Sequence, residues 1–423
     1  MASRRIVITG IGPLTPLGND VDSLWKAMLE GKSAVRPIRS FDASGLPTRF
    51  AAEIDGFDAK GYVEKSQRKS LRVMARPIQL AVAAAKVALT HGQVDKSKLN
   101  PERFGIEFGA GLIASELPEL ADAARTSVNC QPGKVDMLSW GEKGLGAIPP
   151  LWMLKYLPNM PACHISILHD ARGPNNSITE SDAASLLALN EATRILARGA
   201  ADFFLVGGCE SKINPLSLVR QCLFEQLSKR NDDPAGACRP FDADRDGLVL
   251  GEGATVLVVE DLDHAQKRGA QVLAEVAGHG SGFDRKQDGD GLARACEAAL
   301  RMAGIGPDDL DHVNAHGYGT LKEDAWEAKG LARVVGDRVP VFAAKGYLGN
   351  MGAASGTTEL ALSVLGLNHG VMPASINHDK AAPDCPVRVH TGSPRPVTKP
   401  FALKVGFTHM GQCAAVVVKR WEA

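Results

Sequence analysis

Short β-branched runs that end in glycine and lead into helical patterns recur along the chain, and this alternation most constrains its fold. Residues 6–9 form a continuous β-branched run followed by Gly10 and Gly12, which predicts a buried strand and a tight turn. Residues 22–30 carry apolar side chains at helical spacing, and Gly31 is a typical helix stop. Strands that alternate with helices pack as a sheet covered by helices, so the pattern predicts an α/β protein.

The same alternation continues toward the C-terminus. Predicted helices cover residues 80–91, 185–199 and 291–303, and predicted strands cover 105–111, 201–208, 254–260, 272–277, 312–315, 341–344 and 414–419. The strand and glycine turn near Ile6 have a counterpart near Val272, which favours an internal duplication. We therefore predict two related halves, residues 1–262 and 263–423, packed as one body.

Charge, apolar patterning and cysteine usage exclude several classes of protein. The 423 residues include 48 basic and 48 acidic ones, so no positive excess is available for a nucleic-acid backbone. Apolar runs fall far short of the roughly 20 residues that span a bilayer, so no membrane span is predicted. The eight cysteines are scattered without a Cys-x-x-Cys pair, which favours free thiols and a cytoplasmic protein over disulfides or a metal site. No dinucleotide fingerprint is complete, and no bound cofactor is expected.

Three turns place polar side chains at the ends of predicted strands. Asp182 precedes the predicted helix 185–199, where the helix dipole stabilises an anion by roughly 0.3 to 1 kcal/mol; simple helix capping fits the same position. His316 ends a strand, at the edge where ligands collect in α/β sheets, although a lone histidine is more often structural. Lys345 and Asn350 project from a glycine-rich turn, where such residues are also commonly solvated or turn-forming.

Motifs in a fixed order along nearly the whole chain carry a resemblance to a known family. They are Arg5 to Gly12 with Thr15 to Gly18, Gly173-Pro174, Ala201 to Gly208, Arg230 to Pro234, Cys238 to Asp242, Arg245 to Gly247, Gly251 to Ala254, Asn314 to Gly317 with Thr320, Asp324 and Glu327, Lys345, and Gly406-Phe407. Together they resemble the β-ketoacyl-acyl-carrier-protein synthases, the elongating condensing enzymes of the thiolase superfamily. The resemblance implies a thiolase-like five-layered αβαβα fold with two pseudo-duplicated halves. It also implies a homodimer, or a heterodimer with an active ketoacyl synthase.

In that family, the corner before the long helix carries the cysteine that accepts the acyl chain. Counting forward from Gly173-Pro174, or back from Gly207-Gly208, puts this position at Asp182. A carboxylate that attacked a thioester would form a mixed anhydride, so acyl transfer through residue 182 is disfavoured. Ser181 is not expected to take over, because neighbouring side chains point in different directions.

The resemblance also assigns roles around this position. His316 matches the first family histidine, Asn350 replaces the second, and Lys345 matches the family lysine near the first. Substrate contacts are expected from a set of four residues: Thr320, Glu327, Phe407 and His409, the last being an addition in the C-terminal loop. Residues 112–160 are expected to line an acyl tunnel or a dimer contact. The phosphopantetheine arm of acyl carrier protein is expected to enter as a substrate arm and not as a bound cofactor.

Two main hypotheses of function remain open in fatty-acid or polyketide synthesis. The first is a non-condensing partner similar to chain-length factors, in which an active synthase performs the chemistry. The alternative is an enzyme with altered acyl-thioester chemistry, namely decarboxylation, hydration or hydrolysis, that uses Asp182 and His316. Condensation by direct attack without a covalent intermediate is a third possibility.

Overall fold

The computed structural model describes residues 4–128 and 133–422. Its strands are β1 (Ile6–Leu14), β2 (Arg36–Pro37), β3 (Phe50–Ala51), β4 (Phe104–Ala110), β5 (Asn175–Ile178), β6 (Phe203–Ser211), β7 (Glu252–Asp261), β8 (Ala274–Phe283), β9 (Leu310–Asn314), β10 (Val341–Phe342), β11 (Val371–Met372), β12 (Arg395–Pro396), β13 (Phe401–Phe407) and β14 (Gln412–Arg420). Its α-helices are α1 (Val21–Leu29), α2 (Arg76–His91), α3 (Leu117–Thr126), α4 (Met137–Ser139), α5 (Trp152–Tyr156), α6 (Met160–His169), α7 (Ala184–Ala197), α8 (Pro215–Phe224), α9 (Leu262–Lys267), α10 (Asp290–Ala303), α11 (Leu321–Val335), α12 (Lys345–Leu348) and α13 (Ser355–His369).

The main sheet shows the internal duplication directly. Its ten strands follow the order β10-β9-β13-β14-β8-β1-β7-β6-β4-β5. From the centre outward, the first half has the order β1-β7-β6-β4-β5 and the second half has the order β8-β14-β13-β9-β10. When the strands are numbered within their own half, both orders are first, fifth, fourth, second and third. The first two pairings within each half are antiparallel and the outer two are parallel. The predicted repeat of two halves is therefore confirmed, while the boundary at residue 262 stays a prediction.

Helices α7 and α13 pack against strands of both halves of the sheet. Helix α7 packs on β4 and β6 of the first half and on β14 and β8 of the second, and α13 contacts β13, β14, β7 and β6. Every residue of α13 from Ser355 to Leu367 is buried. Helices α2 and α6 cover the outer face of the first half, and α10 with α11 covers the second. This arrangement is the predicted αβαβα stack.

Most predicted elements are confirmed with shifted ends, but the turn at Gly10 and Gly12 is wrong. Strand β1 continues through both glycines to Leu14. The glycines serve a close approach between helix and sheet, because a Cβ on Gly12 would lie 2.1 Å from the carbonyl oxygen of Ala84 in α2. Helix α11 and strand β13 had no sequence prediction.

Three further observations bear on the composition arguments. None of the helices in the described ranges has both the length and the apolar character needed to cross a membrane. Within the same ranges, no group of three or more His, Cys, Asp or Glu side chains could hold a metal ion. Seven cysteines are free, and Cys130 lies outside the described residues.

The close packing of α2 on β1 yields a stability prediction. Gly12→Ala should lower the free energy of unfolding by about 1–3 kcal/mol, because the new methyl group would overlap backbone atoms that cannot move independently. Gly45→Ala is the matched control, since nothing lies within 4 Å of its Cβ position. Urea denaturation of both variants measures the difference, and equal midpoints would contradict the packing described here.

Candidate active site

Asp182 lies in a short 3-10 turn, Ser181–Ala183, that connects β5 to α7. Ser181 adopts a left-handed φ of +44°, which turns the chain sharply at this corner. The Asp182 side chain is buried, and its Oδ2 accepts hydrogen bonds from Ser181 Oγ at 3.0 Å and from the Tyr318 hydroxyl at 2.9 Å. No side chain caps α7, so the capping interpretation of Asp182 is wrong.

The surroundings of Asp182 favour its ionised form. Burial by itself would raise the pKa of this carboxyl, but the charges of Lys212 and Lys345 and the side chains of Asn350 and Tyr318 outweigh it and hold the pKa below its ordinary value. Lys212 Nζ also lies 3.2 Å from Oε1 of the buried Glu210. The positive charges of Lys212 and Lys345 therefore stabilise the negative charge of the buried Asp182 carboxylate.

His316 follows the carboxyl end of β9 and is held by its backbone. The N–H groups of His316 and Gly317 donate to the two carboxylate oxygens of Glu327 on α11, at 2.6 and 2.7 Å. Lys345 Nζ lies 3.2 Å from His316 Nδ1 and donates to the His316 carbonyl at 2.7 Å. Because an ammonium group can only donate, Nδ1 accepts, and we assign the ring proton to Nε2.

The charge state of His316 follows from the same contacts. Burial, reinforced by the positive charges of Lys345 and Lys404, moves the pKa of His316 well below its ordinary value. The ring is therefore neutral. Its Nε2 lies 4.0 Å from Oδ1 of Asp182, and neither atom has a hydrogen-bond partner although both are buried. A potential donor and an acceptor thus face each other across a gap too long for a direct hydrogen bond.

Two lysines and a glutamate form a buried network behind His316. Glu359 on α13 accepts from Lys345 Nζ at 2.7 Å through Oε1 and from Lys404 through Oε2. Lys404 also donates to the Ala315 carbonyl at 3.0 Å, and burial lowers its pKa to about 8. Sequence reasoning missed Glu359 and Lys404. The signal was available for Lys404, which is a charged residue within the otherwise apolar run 401–407. Glu359 follows two threonines, so its local sequence does not set it apart.

Two of the remaining predicted residues, Asn350 and Phe407, lie close to Asp182 and His316. Asn350 is buried in a turn, where its Oδ1 accepts from the Gly352 N–H and from Ser355 Oγ. The ring of Phe407 lies 5.0 Å from that of His316, and its carbonyl oxygen lies 3.2 Å from the Tyr318 hydroxyl oxygen, whose proton we assign to the shorter contact with Asp182.

Thr320 donates to Glu323 at 2.6 Å and lines a cavity, and His409 is exposed at the mouth of the same cavity. Glu327 lies fully buried beneath the His316 turn and does not line that cavity. Since both of its oxygens already accept backbone hydrogen bonds, Glu327 positions the turn.

Two adjoining cavities open at this site. The larger, of about 730 Å³, is lined by parts of the segments 111–115, 152–157 and 210–225 together with Ser181 and His409. The smaller, of about 270 Å³, reaches Asp182, Tyr318, Asn350 and Thr320. Ser181, Lys212 and His409 line both. No described cysteine lines either cavity, and parts of the 112–160 segment form a wall of the larger one.

Comparison with known proteins places this geometry in context. Two family models match the chain: "Beta-ketoacyl synthase, N-terminal domain" over residues 3–265 and "Beta-ketoacyl synthase, C-terminal domain" over residues 271–379. The 3-oxoacyl-[acyl-carrier-protein] synthase 2 of Vibrio cholerae is 37% identical over 389 residues, which cover 90% of each chain. The protein of the same name from Vibrio harveyi is 35% identical and covers 99% of each chain.

Solved structures give the same picture at lower identity. The ishigamide ketosynthase/chain length factor superposes with a TM-score of 0.87 at 27% identity and covers all of both chains. A beta-ketoacyl synthase from Burkholderia phymatum gives 0.88 at 28% identity, covering 99% of this chain and 100% of the other. A type II PKS acyl-carrier protein in complex with its ketosynthase bound to the hexaketide gives 0.83 at 25% identity, with the same coverage.

The Glu327 carboxyl makes stability depend on pH in a defined direction. Burial raises the pKa of Glu327 to about 7, so the folded protein holds this proton to a higher pH than the unfolded chain does. The corresponding stabilisation is fully present below pH 4.5 and is lost as pH rises through 7. The excess in unfolding free energy of wild type over Glu327→Gln should therefore shrink from pH 5 to pH 7.5.

Urea denaturation at a series of pH values measures this difference. Glu297→Gln, on the exposed face of α10, is the matched control for the same chemical change. A wild-type excess over Glu327→Gln that does not change with pH would show that Glu327 titrates alike in the folded and unfolded states.

Proposed function

The chain belongs to the beta-ketoacyl synthase family, and from this premise we propose that it is a non-condensing member acting in fatty-acid or polyketide synthesis. In this proposal it binds acyl or malonyl groups carried by acyl carrier protein in the cytoplasm. It works as the partner of an active ketoacyl synthase, in the manner of a chain-length factor.

The observation that carries the proposal is the buried, ionised carboxylate of Asp182 at the corner before α7. We take this corner to be the family's acyl-accepting position, on the residue counts between the flanking glycine motifs. Covalent transfer needs a nucleophile whose acyl product is about as stable as the thioester, which a thiolate supplies and a carboxylate does not. The two hydroxyl donors on Oδ2 reduce its reactivity further.

The larger cavity and its surroundings support the proposed binding of acyl groups carried by acyl carrier protein. Its wall is mostly apolar and includes Ile113, Trp152 and Leu157, which suits an acyl chain delivered on a phosphopantetheine arm. Support for a carrier-protein partner comes from the structurally similar ketosynthase, whose complex with an acyl-carrier protein is known.

An apolar surface next to this cavity supports a protein partner. Leu151, Met153 and Ile167 are 57%, 59% and 71% exposed, and α6, which carries Ile167, packs on β5, the edge strand of the main sheet. Exposed apolar side chains next to an open strand edge are typical of surfaces covered by another protein chain. We propose an active ketoacyl synthase as the occupant and a second copy of this chain as the alternative.

One observation favours the alternative of altered acyl-thioester chemistry. The unpartnered His316 Nε2–H and Asp182 Oδ1 could bind one hydroxyl group or water together, which would accept from the imidazole and donate to the carboxylate. General acid/base assistance of this kind contributes about 10²- to 10⁴-fold in rate. It suits hydration or hydrolysis of a carrier-bound chain, and the imidazole N–H suits decarboxylation of a malonyl group.

Incubation with malonyl- and acyl-carrier protein, followed by mass spectrometry of every component, separates these readings. The non-condensing proposal predicts that the wild-type chain gains no acyl adduct and leaves both substrates unchanged. Asp182→Cys is the matched variant that supplies a thiol at the same corner. Wild-type turnover that is lost in both Asp182→Ala and His316→Ala would establish the altered chemistry instead.

Co-expression with ketoacyl synthases of the same genome tests the partnership. We expect a stable heterodimer that Ile167→Glu disrupts, because a charge would be buried in the apolar contact. Met302→Glu is the control, since Met302 is 54% exposed on α10, away from β5. A homodimer that persists in the presence of every candidate synthase would contradict the partner role.

A further inference from the structure

A second pocket lies at the opposite end of β9 from His316. It has a volume of about 460 Å³ and is formed where β9 begins, at Leu310 and Asp311, and where the chain enters β10, at Pro340. Four cationic side chains line it: Arg338, Arg388, Arg395 and Lys399. We call it the arginine pocket. It shares no residue with the two cavities at Asp182.

The carboxylates around the arginine pocket neutralise two of its four cations. Asp311 is the lining carboxylate, and its oxygens already accept from Arg395, from the Thr398 N–H at 2.8 Å and from the ring of His312 at 3.1 Å. Arg338 is paired with Asp308 at 2.9 Å.

Arg388 and Lys399 have no carboxylate partner among the described residues. Their recorded hydrogen bonds go to the carbonyl oxygens of Arg338 and Asp308, at 2.8 and 2.6 Å. Since a carbonyl group carries no charge, two positive charges remain uncompensated at this pocket.

Two lining side chains also have polar atoms that are buried and unused. Arg395 Nε and His390 Nε2 have no hydrogen-bond partner, although both are shielded from solvent. A buried polar atom without a partner costs about 1–3 kcal/mol, which a ligand reached by a small side-chain shift would recover. The groups that the pocket presents to solvent are the two unpaired cations, Arg388 and Lys399.

This set of groups specifies the chemistry of a ligand. A carboxylate has two oxygens and one charge, which would leave part of the set unpaired. A terminal phosphate has three oxygens and up to two charges, and guanidinium groups match its geometry. We propose that the arginine pocket is a binding site for a terminal phosphate group. The volume admits a phosphate monoester of a small molecule as well as inorganic phosphate.

Calorimetric titration of the full chain with inorganic phosphate and, separately, with adenosine monophosphate tests this proposal and distinguishes the two sources. Sodium acetate at equal ionic strength is the control for nonspecific charge effects. We expect saturable binding of at least one phosphate probe, tighter than binding of acetate. Arg388→Gln and Lys399→Gln should each weaken it about tenfold, the loss typical of one charge-assisted hydrogen bond.

Arg301→Gln is the matched control, because Arg301 is an exposed arginine on α10 that does not line the pocket. Thermal unfolding of each variant verifies that it is folded, and both test residues are at the surface, so the fold should be retained. The proposal is overturned if neither phosphate probe saturates, if acetate binds equally well, or if Arg301→Gln weakens binding as much as the pocket variants.

Discussion

A carboxylate that stays ionised inside the protein is the interaction on which the rest of this site depends. Burial opposes that charge, and it is tolerated because Lys212 and Lys345 lie near it and Tyr318 donates to it. Burial and the charges of Lys345 and Lys404 keep His316 neutral, with its proton assigned to the nitrogen that faces the carboxylate. Lys345 therefore acts on the protonation states of both Asp182 and His316.

The duplicated fold explains how these groups meet. Asp182 precedes α7 in the first half, and His316 follows β9 in the second, so the site forms where the two halves meet. Helix α13 contributes Glu359, which anchors Lys345 at 2.7 Å, and α11 contributes Glu327 to hold the His316 turn. Each side chain is thus fixed by an element from the layered core, which suits a site that must keep its geometry while a long chain occupies the cavity.

The sequence predicts the parts of this arrangement that are local. Asp182 and His316 follow strands, and Lys345 begins a short helix. Their positions can be predicted from hydrophobic periodicity and turn residues. Tyr318 and Lys212 could not be identified this way, because their roles depend on contacts with Asp182 between residues distant along the chain. The prediction of a turn at Gly12 is wrong for the same reason, because local sequence does not reveal that α2 packs on this glycine.

The most direct test of the central claim is the protonation state of Asp182, followed by ¹³C NMR of protein labelled at aspartate carboxyl carbons. Asp182→Asn assigns the resonance, and Lys212→Met removes one of the charges held responsible. The account predicts a carboxylate that stays ionised from pH 8 down to below its ordinary pKa of 3.8, and a higher pKa in Lys212→Met. A resonance that titrates near neutral pH in the wild-type protein would contradict it.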